Sequence, residues 1–475
     1  MMSEWTTIPL GKVLTLQRGH DLPAQDRLSG DVPILGSSGI TGYHNKAKAP
    51  GPGVTVGRSG NSMGEVSYSD KDFWPLNTAL YITDFKGNDP KFLYYLLKTI
   101  NFDQFNSGSA QKSLNRNAVY PFEVKVPSSL SEQRRISSVL SSLEDKIEIN
   151  HQINQTLEQI AQAIFRSWFV DFEPVKAKIA ARQRWHALQP VAEPASPVCY
   201  ADDEVSLPDL ETYMNLAAMR AISGKDEAQL TQMQAEQPEE YAELLATAEL
   251  FPSAMQDSEL GEIPEGWEVK MIGDAVTVVG GGTPSTKEPL FWDGGKIHWT
   301  SPKDLSNLTD KVLIDTERRV TQAGLSKISS GLLPVGTVLM SSRAPVGYLA
   351  LAKIPVAVNQ GYIAIKCETV VTPEWVLQWC SSNMDEIKSR AGGTTFAEIS
   401  KKSFKIIPAV IPSKELVSAS TKLLSGIYMS VENNVRESTT LSLIRDTLLP
   451  KLLSGEVSVT GPAAQIAEAE EAADV

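Results

Sequence analysis

The sequence predicts an α/β protein in which two similar α/β domains are joined by two long helices forming an antiparallel coiled coil. Three observations predict this fold. The stretch 131–168 carries a heptad pattern, and the same pattern recurs late in the chain, as the equivalent Asn150 and Asn434 illustrate. Each copy is preceded by short β-type runs that alternate with turn-rich loops, which is typical of an α/β domain.

Apolar residues within 131–168 recur at alternating spacings of four and three, which places them on one face of a long helix. In the first copy this seam includes Ile136, Leu140, Leu143, Ile147, Asn150, Leu157 and Ile164. In the second copy it includes Leu424, Ile427, Val431, Asn434, Leu441, Leu448 and Leu452. Neither helix can bury its stripe alone, so we expect the two to pack together, with the seam asparagines fixing the register. Heptads also occur in ordinary bundle helices, but the duplication favours a spacer with a globular unit at each end.

Landmarks in the same order indicate that the globular units are duplicated as well. Trp5 matches Trp267, and Asn77 matches Asn359. Further matched landmarks are Gly53 with Gly336, Gly64 with Gly347, Gly108 with Gly393, Leu114 with Ile399, and Pro127 with Pro412. The expected domains are a first globular unit at 1–128, a long helix at 129–175, an acidic helical insert at 176–265, a second globular unit at 266–412, a second long helix at 413–457 and a disordered acidic tail at 458–475.

Local signals place the individual elements. Ser129 and Glu132 have the spacing of a capping box at the start of the first long helix. Pro174 is expected to stop that helix near 168–174, and Pro450 is expected to kink the second. The expected shorter elements are strands at Gly53–Gly57 and Ala79–Thr83, and helices at Pro90–Asn101, Asp209–Ile222 and Lys225–Phe251.

The composition is that of a cytoplasmic protein without a membrane span or signal peptide. The three cysteines, Cys199, Cys367 and Cys380, are far apart, which fits a reducing compartment. The net charge of −13 is concentrated in the insert and the tail, whereas both globular units carry a slight excess of Lys and Arg. This distribution permits DNA binding without demonstrating it.

No catalytic or metal-binding motif is found. The string GGGTPSTK at 280–287 lacks the glycine before lysine that a phosphate loop requires. The string GRSG at 57–60 is not a nucleophile elbow. An asparagine-proline-proline-aromatic tetrad and a nuclease cluster are absent, and the histidines show no zinc-ligand spacing. We therefore predict no catalytic residue and no metal site in this chain.

The loops of both units instead carry side chains suited to DNA, because Arg, Asn and Gln read base edges while Ser, Thr and Lys mostly hold phosphates. Any one of them is more often a solvated loop residue, but their recurrence in matching loops favours DNA contact. In the first unit the candidates are Arg18, His20, Ser37, Ser38, Tyr43, Lys46, Lys48, Arg58, Ser59, Gln111, Lys112, Asn115 and Arg116. In the second they are Thr283, Ser285, Lys287, Trp299, Ser301, Lys303, Ser341, Ser342, Arg343, Asn359, Gln360, Arg390, Thr394, Thr395, Lys401 and Lys402. Asn77 and Asn359 also have a simpler interpretation as turn formers.

Three strings and the duplicated architecture resemble the DNA-specificity subunit of type I restriction–modification enzymes over nearly the whole chain. The strings are INQTLEQIAQAIFRSWFVDFEP at 153–174, DSELGEIPEGWEV at 257–269 and TLSLIRDTLLPKLLSGEV at 440–457. The resemblance implies that each globular unit is a target-recognition domain for one half of a split sequence in double-stranded DNA. It also implies an antiparallel helix pair that docks two modification subunits, which methylate adenine with S-adenosylmethionine, and restriction subunits that use ATP and Mg. This chain itself would then hold no cofactor.

The helix lengths are compatible with a spacer function. A helix of about 37 residues is roughly 55 Å long. That length spans at most about 16 base pairs. Two rival interpretations remain open at this point. A fused methyltransferase or nuclease with a degenerate motif would modify or cut DNA alone, and a coiled-coil adaptor would show no salt-dependent DNA affinity.

Overall fold

The computed structural model of the protein describes residues 4–108, 111–188, 208–343, 345–393 and 397–459. Most of the predicted disordered tail, together with Cys199, Thr394 and Thr395, lies outside the described residues. The chain divides into two compact units, unit 1 (1–148 with 438–475) and unit 2 (149–437). Each unit contains one α/β domain and parts of both long helices. Among the described residues, no helix combines the length and apolarity that a membrane span requires.

The first α/β domain, in unit 1, is built on two sheets. Its strands are β1 (Trp5–Pro9), β2 (Thr15–Arg18), β3 (Val32–Gly36), β4 (Gly39–His44), β5 (Gly53–Gly57), β6 (Val66–Ser69), β7 (Trp74–Pro75), β8 (Ala79–Asp84) and β9 (Glu123–Pro127). Its helices are α1 (Leu10–Val13), α2 (Pro90–Lys98) and α3 (Arg116–Val119). The larger sheet has the order β2-β8-β5-β6 and the smaller one β4-β3-β7, while β1 pairs with β9. In the larger sheet all pairs are antiparallel, whereas β3 and β7 are parallel.

The first long helix, α4, spans Leu130–Phe169. Its start agrees with the predicted cap, since the Glu132 amide donates to the Ser129 hydroxyl at 3.4 Å. The predicted cause of its end is wrong. The helix stops before Phe172, which has a left-handed φ of 54°. Pro174 instead lies in the first turn of the next helix, α5 (Glu173–Leu188), where proline is well tolerated.

The insert is helical, as expected. It continues with α6 (Leu210–Ser223), α7 (Glu227–Glu236), α8 (Pro238–Glu249) and the hairpin β10 (Met255–Ser258) and β11 (Gly261–Pro264). The expected helix at Lys225–Phe251 is in fact two helices, because Pro238 begins a new one after Gln237. These helices bury a small core of their own that includes Met219, Leu230 and Ala248.

The second α/β domain, in unit 2, repeats the topology of the first. Its strands are β12 (Glu268–Met271), β13 (Thr277–Val279), β14 (Ile297–Thr300), β15 (Val312–Leu313), β16 (Arg318–Val320), β17 (Val338–Ser341), β18 (Leu349–Ala352), β19 (Ala357–Val358), β20 (Tyr362–Lys366) and β21 (Pro408–Ile411). Its helices are α9 (Ile272–Ala275), α10 (Pro302–Ser306), α11 (Gln322–Leu325), α12 (Pro373–Ser382), α13 (Met384–Ser389) and α14 (Lys401–Lys405). The order β13-β20-β17-β18 corresponds to β2-β8-β5-β6, with β15 added at the edge, and β16-β14-β19 corresponds to β4-β3-β7. The duplication predicted from landmarks is therefore a duplication of fold.

The second long helix, α15 (Lys414–Leu453), contains Pro450 within its last turn. It packs against α4. In unit 2, Asn434 Nδ2 donates to Asn154 Oδ1 at 2.8 Å, and Tyr428 OH donates to Glu158 Oε2 at 2.7 Å. Residue numbers therefore rise along one helix as they fall along the other, which makes the pairing antiparallel. All predicted seam residues are buried or half-buried. The predicted fold class, two α/β domains with an antiparallel pair of long helices, is confirmed.

A half-buried glutamate of α4 connects this helix to the α/β domain within each unit. In unit 1, Tyr95 of α2 donates to Glu144 of α4 at 2.9 Å, and Lys98 lies 3.1 Å from the same carboxylate. In unit 2, Lys311 of the domain lies 2.7 Å from Glu158 of α4. Because the Glu158 side chain is only 18% exposed, this ion pair is largely shielded from solvent.

The Glu158 contact should make the stability of unit 2 depend on pH. Burial raises the pKa of the Glu158 carboxyl, but the Lys311 charge and hydrogen bonds from Lys311 and Tyr428 lower it more, so the net pKa lies below the ordinary 4.5. A depressed pKa means that the stabilisation is complete above the unfolded-state pKa and is lost as pH falls through the folded-state pKa. We expect the difference in melting temperature between wild type and Glu158→Gln to stay constant from pH 7 to about 5 and to shrink as the pH is lowered further towards about 3, through the depressed folded-state pKa. A difference that also stays constant below about pH 5 would contradict the assignment.

Candidate nucleic-acid interface

Five loops of the first α/β domain lie side by side at strand ends. We call them loop cluster 1, and they comprise residues 18–20, 36–39, 57–60, 75–79 and 111–113. The Asn77 amide donates to the His20 carbonyl at 3.0 Å, and the Arg58 amide donates to the Thr78 carbonyl at 2.8 Å. The Gly60 amide donates to the Lys112 carbonyl at 3.0 Å. These bonds hold four of the loops together through the backbone, which leaves their side chains available for other contacts.

The remaining loop is joined to the cluster by a close backbone approach at Gly57. A Cβ atom at this position would lie 2.5 Å from the Ser37 carbonyl oxygen and 2.0 Å from that of Ser62. Only glycine fits such a contact. This contact brings Ser37 and Ser38 next to Arg58, so these three predicted residues are adjacent in space.

The predicted residues of loop cluster 1 differ in exposure and partners. Arg18, Ser38, Gln111 and Lys112 are exposed, whereas His20, Ser37, Arg58 and Ser59 are half-buried. The ammonium of Lys112 forms an exposed ion pair with Asp103 at 2.6 Å.

Lys48 lies next to loop cluster 1, because it contacts Trp74, which is bonded to the loop at 18–20. Its ammonium lies 5.8 Å from the centre of the Trp74 ring, and Trp74 Nε1 donates to the His20 carbonyl at 3.5 Å. Tyr43 and Lys46, on and just after β4, are exposed. Together with Lys48 they provide polar and cationic groups along the smaller sheet.

Two candidates of the first domain have structural partners instead. The Asn115 side chain caps α3 by accepting from the Asn117 amide at 3.0 Å. Arg116 Nη1 donates to the Leu16 carbonyl at 3.0 Å. Both side chains therefore stabilise the local fold of this domain.

Five loops of the second domain form loop cluster 2, which comprises residues 280–283, 299–303, 341–343, 358–361 and 398–401. The Asn359 amide donates to the Thr300 carbonyl at 3.0 Å, and the Gly282 amide donates to the Val358 carbonyl at 2.9 Å. The Thr283 hydroxyl donates to Gln360 Oε1 at 2.7 Å. The sequence-predicted loops of the second domain are thus adjacent in space.

The two clusters share backbone hydrogen bonds at equivalent positions. In cluster 1 the Leu114 amide donates to the Arg58 carbonyl at 2.8 Å, and in cluster 2 the Ile399 amide donates to the Ser342 carbonyl at 3.0 Å. Isolated β-bridges follow the same pattern, joining Ser59 to Ser113 and Arg343 to Glu398. Arg58 is therefore equivalent to Ser342, and Ser59 to Arg343. The backbone hydrogen bonds are therefore the same in the two copies, whereas arginine and serine have changed places at these two positions.

Several candidates of the second domain serve the fold. Ser341 is fully buried and its hydroxyl donates to the Pro345 carbonyl at 2.7 Å. Ser342 and Trp299 are also buried. Asn359 Oδ1 accepts from the Gly361 amide at 2.8 Å, which agrees with the turn-forming interpretation of this residue.

Asn359 and three other candidates line an open depression of about 470 Å³ in loop cluster 2. Its polar lining includes Ser301, Lys303, Arg343 and Asn359. Lys303 is paired with Glu317 at 2.8 Å, and Arg343 lies 3.6 Å from Glu398. These ion pairs are exposed, so their net energies are small and the cations remain accessible to a competing phosphate.

The remaining candidates of the second domain are Ser285, Lys287, Arg390, Lys401 and Lys402. Arg390 is tied to Glu386 at 2.7 Å. Ser285, Lys287, Lys401 and Lys402 are exposed. Lys401 belongs to loop cluster 2, because its ammonium lies 2.7 Å from where a Cβ of Gly280 would be.

Arg318, on β16, is not among the candidates predicted from the sequence. Its guanidinium carbon lies 3.5 Å from the centre of the Trp292 ring and 5.5 Å from that of Trp299. The stack depends on a loop residue and a strand residue meeting in space, which no sequence spacing reveals.

The described residues contain no group of three or more His, Cys, Asp and Glu side chains that could hold a metal ion. Burial raises the pKa of the Cys367 thiol to about 12 and also raises that of Cys380, so both thiols stay protonated at neutral pH. The chemistry offered by the two clusters is hydrogen bonding and positive charge.

Comparison with known proteins gives a consistent match. A family model described as "Type I restriction modification DNA specificity domain" matches residues 2–159 and 264–419. The HindI type I restriction enzyme specificity subunit of Haemophilus influenzae is 30% identical over 486 residues, covering 96% of this chain and all of that protein. The MjaIX specificity subunit of Methanocaldococcus jannaschii is 36% identical over 196 residues, covering 41% of this chain and 45% of that protein. A crystal structure of the type I restriction–modification S subunit from M. genitalium has the same fold, with a TM-score of 0.51 at 16% identity, covering 95% of this chain and 96% of that one.

Proposed function

The chain belongs to the family of type I restriction–modification DNA specificity subunits, and we propose that each of its α/β domains reads one half of a split DNA sequence. As a specificity subunit it is a non-catalytic component of a multi-subunit enzyme, in agreement with the interpretation of its sequence. The rival interpretations, a fused methyltransferase or nuclease and a protein-only adaptor, lose their support.

The observation that carries the proposal is the relation between the two loop clusters. Equivalent backbone bonds at Arg58 and Ser342 support the same loop geometry in both domains. At these positions arginine in one domain is replaced by serine in the other, and the next residues, Ser59 and Arg343, show the reverse exchange. Ser342 is buried, so the arginine available to a base edge is Arg58 in the first domain and Arg343, one position further along, in the second. With its arginine displaced in this way, one scaffold would read two different half-sites.

We propose that the helix pair sets the length of unread DNA between the half-sites. The pairing of α4 with α15 is supported in both units, by Asn434 with Asn154 in unit 2 and by Arg445 with Glu144 at 3.5 Å in unit 1. The asparagines form a polar layer within the apolar seam. This layer disfavours slippage of one helix along the other, because a shifted register would bury polar groups without partners.

The same helices are the proposed docking sites of two modification subunits. Ile160 of α4 and Ile444 of α15 are equivalent in the duplication, and both are exposed, at 45% and 40%. Exposed aliphatic residues on α4 also include Ile149 and Ile153. Equivalent apolar surfaces on the two copies fit two identical partners. S-adenosylmethionine, ATP and Mg would be bound by the modification and restriction subunits, and the complex would act on DNA in the cytoplasm.

The proposed division of labour is tested by replacing the two exchanged arginines separately. We expect Arg58→Ala to relax base preference in one half of the methylated motif only, and Arg343→Ala to relax the other half only, by about tenfold or more at one position. The readout is methylome sequencing of a host that expresses each variant with its modification subunits. Arg220→Ala, an exposed arginine of the insert, serves as the control and should leave the motif unchanged. Relaxation of both halves by a single variant would count against the proposal.

A further inference from the structure

We propose that Arg318 is a specificity-determining residue of the second domain and that it reads a guanine in the second half-site. The inference rests on the proposed function and adds to it a residue and a base. It is carried by the stacking of Arg318 on tryptophan rings, by the absence of a neutralising acid among the residues that the structure describes, and by the place of Arg318 beside loop cluster 2.

The guanidinium of Arg318 lies on a fixed aromatic platform. The Trp292 and Trp299 rings meet edge to face, with centroids 5.1 Å apart at 89°. Trp299 Nε1 donates to the Gly282 carbonyl at 3.1 Å, and Trp292 Nε1 donates to the Ser285 carbonyl at 3.0 Å. Stacking against an indole leaves the edge of the guanidinium plane free to donate hydrogen bonds. The side chain is therefore oriented before any ligand arrives, which lowers the entropy cost of binding.

Among the described residues, no neighbouring acid neutralises the charge of Arg318. Within the described part of the chain, no carboxylate oxygen lies within 4.0 Å of its guanidinium. The adjacent cations do have partners, since Arg319 pairs with Asp315 at 3.0 Å and Lys303 with Glu317 at 2.8 Å. An exposed arginine that is held in place but lacks an acid partner is suited to a ligand with acceptor atoms.

The position of Arg318 links it to loop cluster 2. It lies directly opposite Trp299 in the pairing of β16 with β14. Trp299 begins the cluster segment that continues to Lys303, and Gly282, which accepts from Trp299, belongs to the same cluster. In the first domain, Lys48 lies over Trp74 beside loop cluster 1. A cation on a tryptophan next to the loop cluster thus occurs in both domains, on the smaller sheet and from different residues.

A guanine is the expected target because its O6 and N7 acceptors accept both hydrogen bonds of a guanidinium edge. A phosphate would also accept them, but it would carry no base information. Lysine can replace arginine at a phosphate, whereas it cannot reproduce the planar two-bond contact. The Arg318→Lys variant therefore distinguishes the two sources of acceptor atoms.

The test uses the full chain in complex with its modification subunits and compares methylated motifs by sequencing. We expect Arg318→Ala and Arg318→Lys each to lose, by about tenfold or more, the preference for one G·C pair in the half-site that Arg343 affects. The matched control is Arg319→Ala, which alters the adjacent, acid-paired arginine and should leave the motif intact.

Three results would overturn the inference. These are an unchanged motif with Arg318→Ala, a uniform loss of methylation that Arg318→Lys restores, and a second half-site without a G·C position. If Arg58→Ala and Arg343→Ala still change separate halves of the motif, the proposed function stands although the role of Arg318 fails.

Discussion

Replacing Glu158 by leucine should destabilise unit 2 by about 3 kcal/mol. The carboxylate accepts hydrogen bonds from Lys311 Nζ and from Tyr428 OH, both at 2.7 Å. Leucine would leave the Lys311 ammonium, whose side chain is only 28% exposed, without its counter-ion. Lys311 keeps a bond to Ser381 at 3.0 Å, which places the expected loss at the lower end for a broken, shielded ion pair. Urea unfolding followed by tryptophan fluorescence measures the effect, since most tryptophans lie in unit 2.

A double substitution separates the ion pair from the packing. Glu158→Leu combined with Lys311→Met removes both charges, so we expect it to recover part of the lost stability. The remaining loss, about 1 to 2 kcal/mol, comes from the buried Tyr428 hydroxyl, which no longer has Glu158 as its acceptor. Glu144→Leu alters the corresponding carboxylate of unit 1 and should leave the transition of unit 2 in place. If the double variant is as unstable as Glu158→Leu, the loss comes from packing around α4 and the electrostatic argument is wrong.

The architecture could be predicted from the sequence because its determinants repeat in the sequence. A seam such as Ile136, Leu140 and Leu143 is a periodic signal, and its recurrence at a fixed offset marks a duplication without reference to coordinates. Helix ends were harder to predict. Pro174 looks like a stop signal, yet the chain turns earlier, at Phe172, whose left-handed conformation follows from no residue-type preference.

The positions of the loops could be predicted from the sequence, whereas the environment of each side chain within them could not. Glycines and polar clusters predict where a loop lies, but not whether a side chain faces solvent. Ser341 and Asn115 belong to loops that the sequence singled out, yet their oxygens bond to the chain itself. The position of Arg318 could not be predicted either, since its environment is created by Trp292 and Trp299, which come from separate segments.

Inserting one heptad into both long helices should shift the preferred spacer between the half-sites to longer DNA. The insertion points are the junctions of the compact units, after Glu148 in α4 and after Glu437 in α15. These points face each other, because Asn150 Nδ2 donates to Glu437 Oε2 at 2.8 Å. Seven residues lengthen each helix by about 10 Å, which corresponds to about three base pairs. Methylation of a DNA series that differs only in spacer length, by the complex with its modification subunits, measures the shift.

The insertion rotates the protein helices and the DNA by different angles, and this difference determines how much methylation the lengthened complex achieves. Seven residues rotate a helix to within about 20° of two full turns, so the insertion mainly translates the helix segment beyond it. Three base pairs rotate DNA by about 100°, since a turn takes about 10.5 base pairs. We therefore expect the spacer length that gives the most methylation to be longer than in the wild type. The methylation at that spacer length should be weaker, because the DNA or the helices must twist to make up the difference in rotation. A heptad in α4 alone puts the seam out of register and should abolish methylation at every spacer length. An optimum that stays in place after the double insertion would show that the helix pair does not set the spacing.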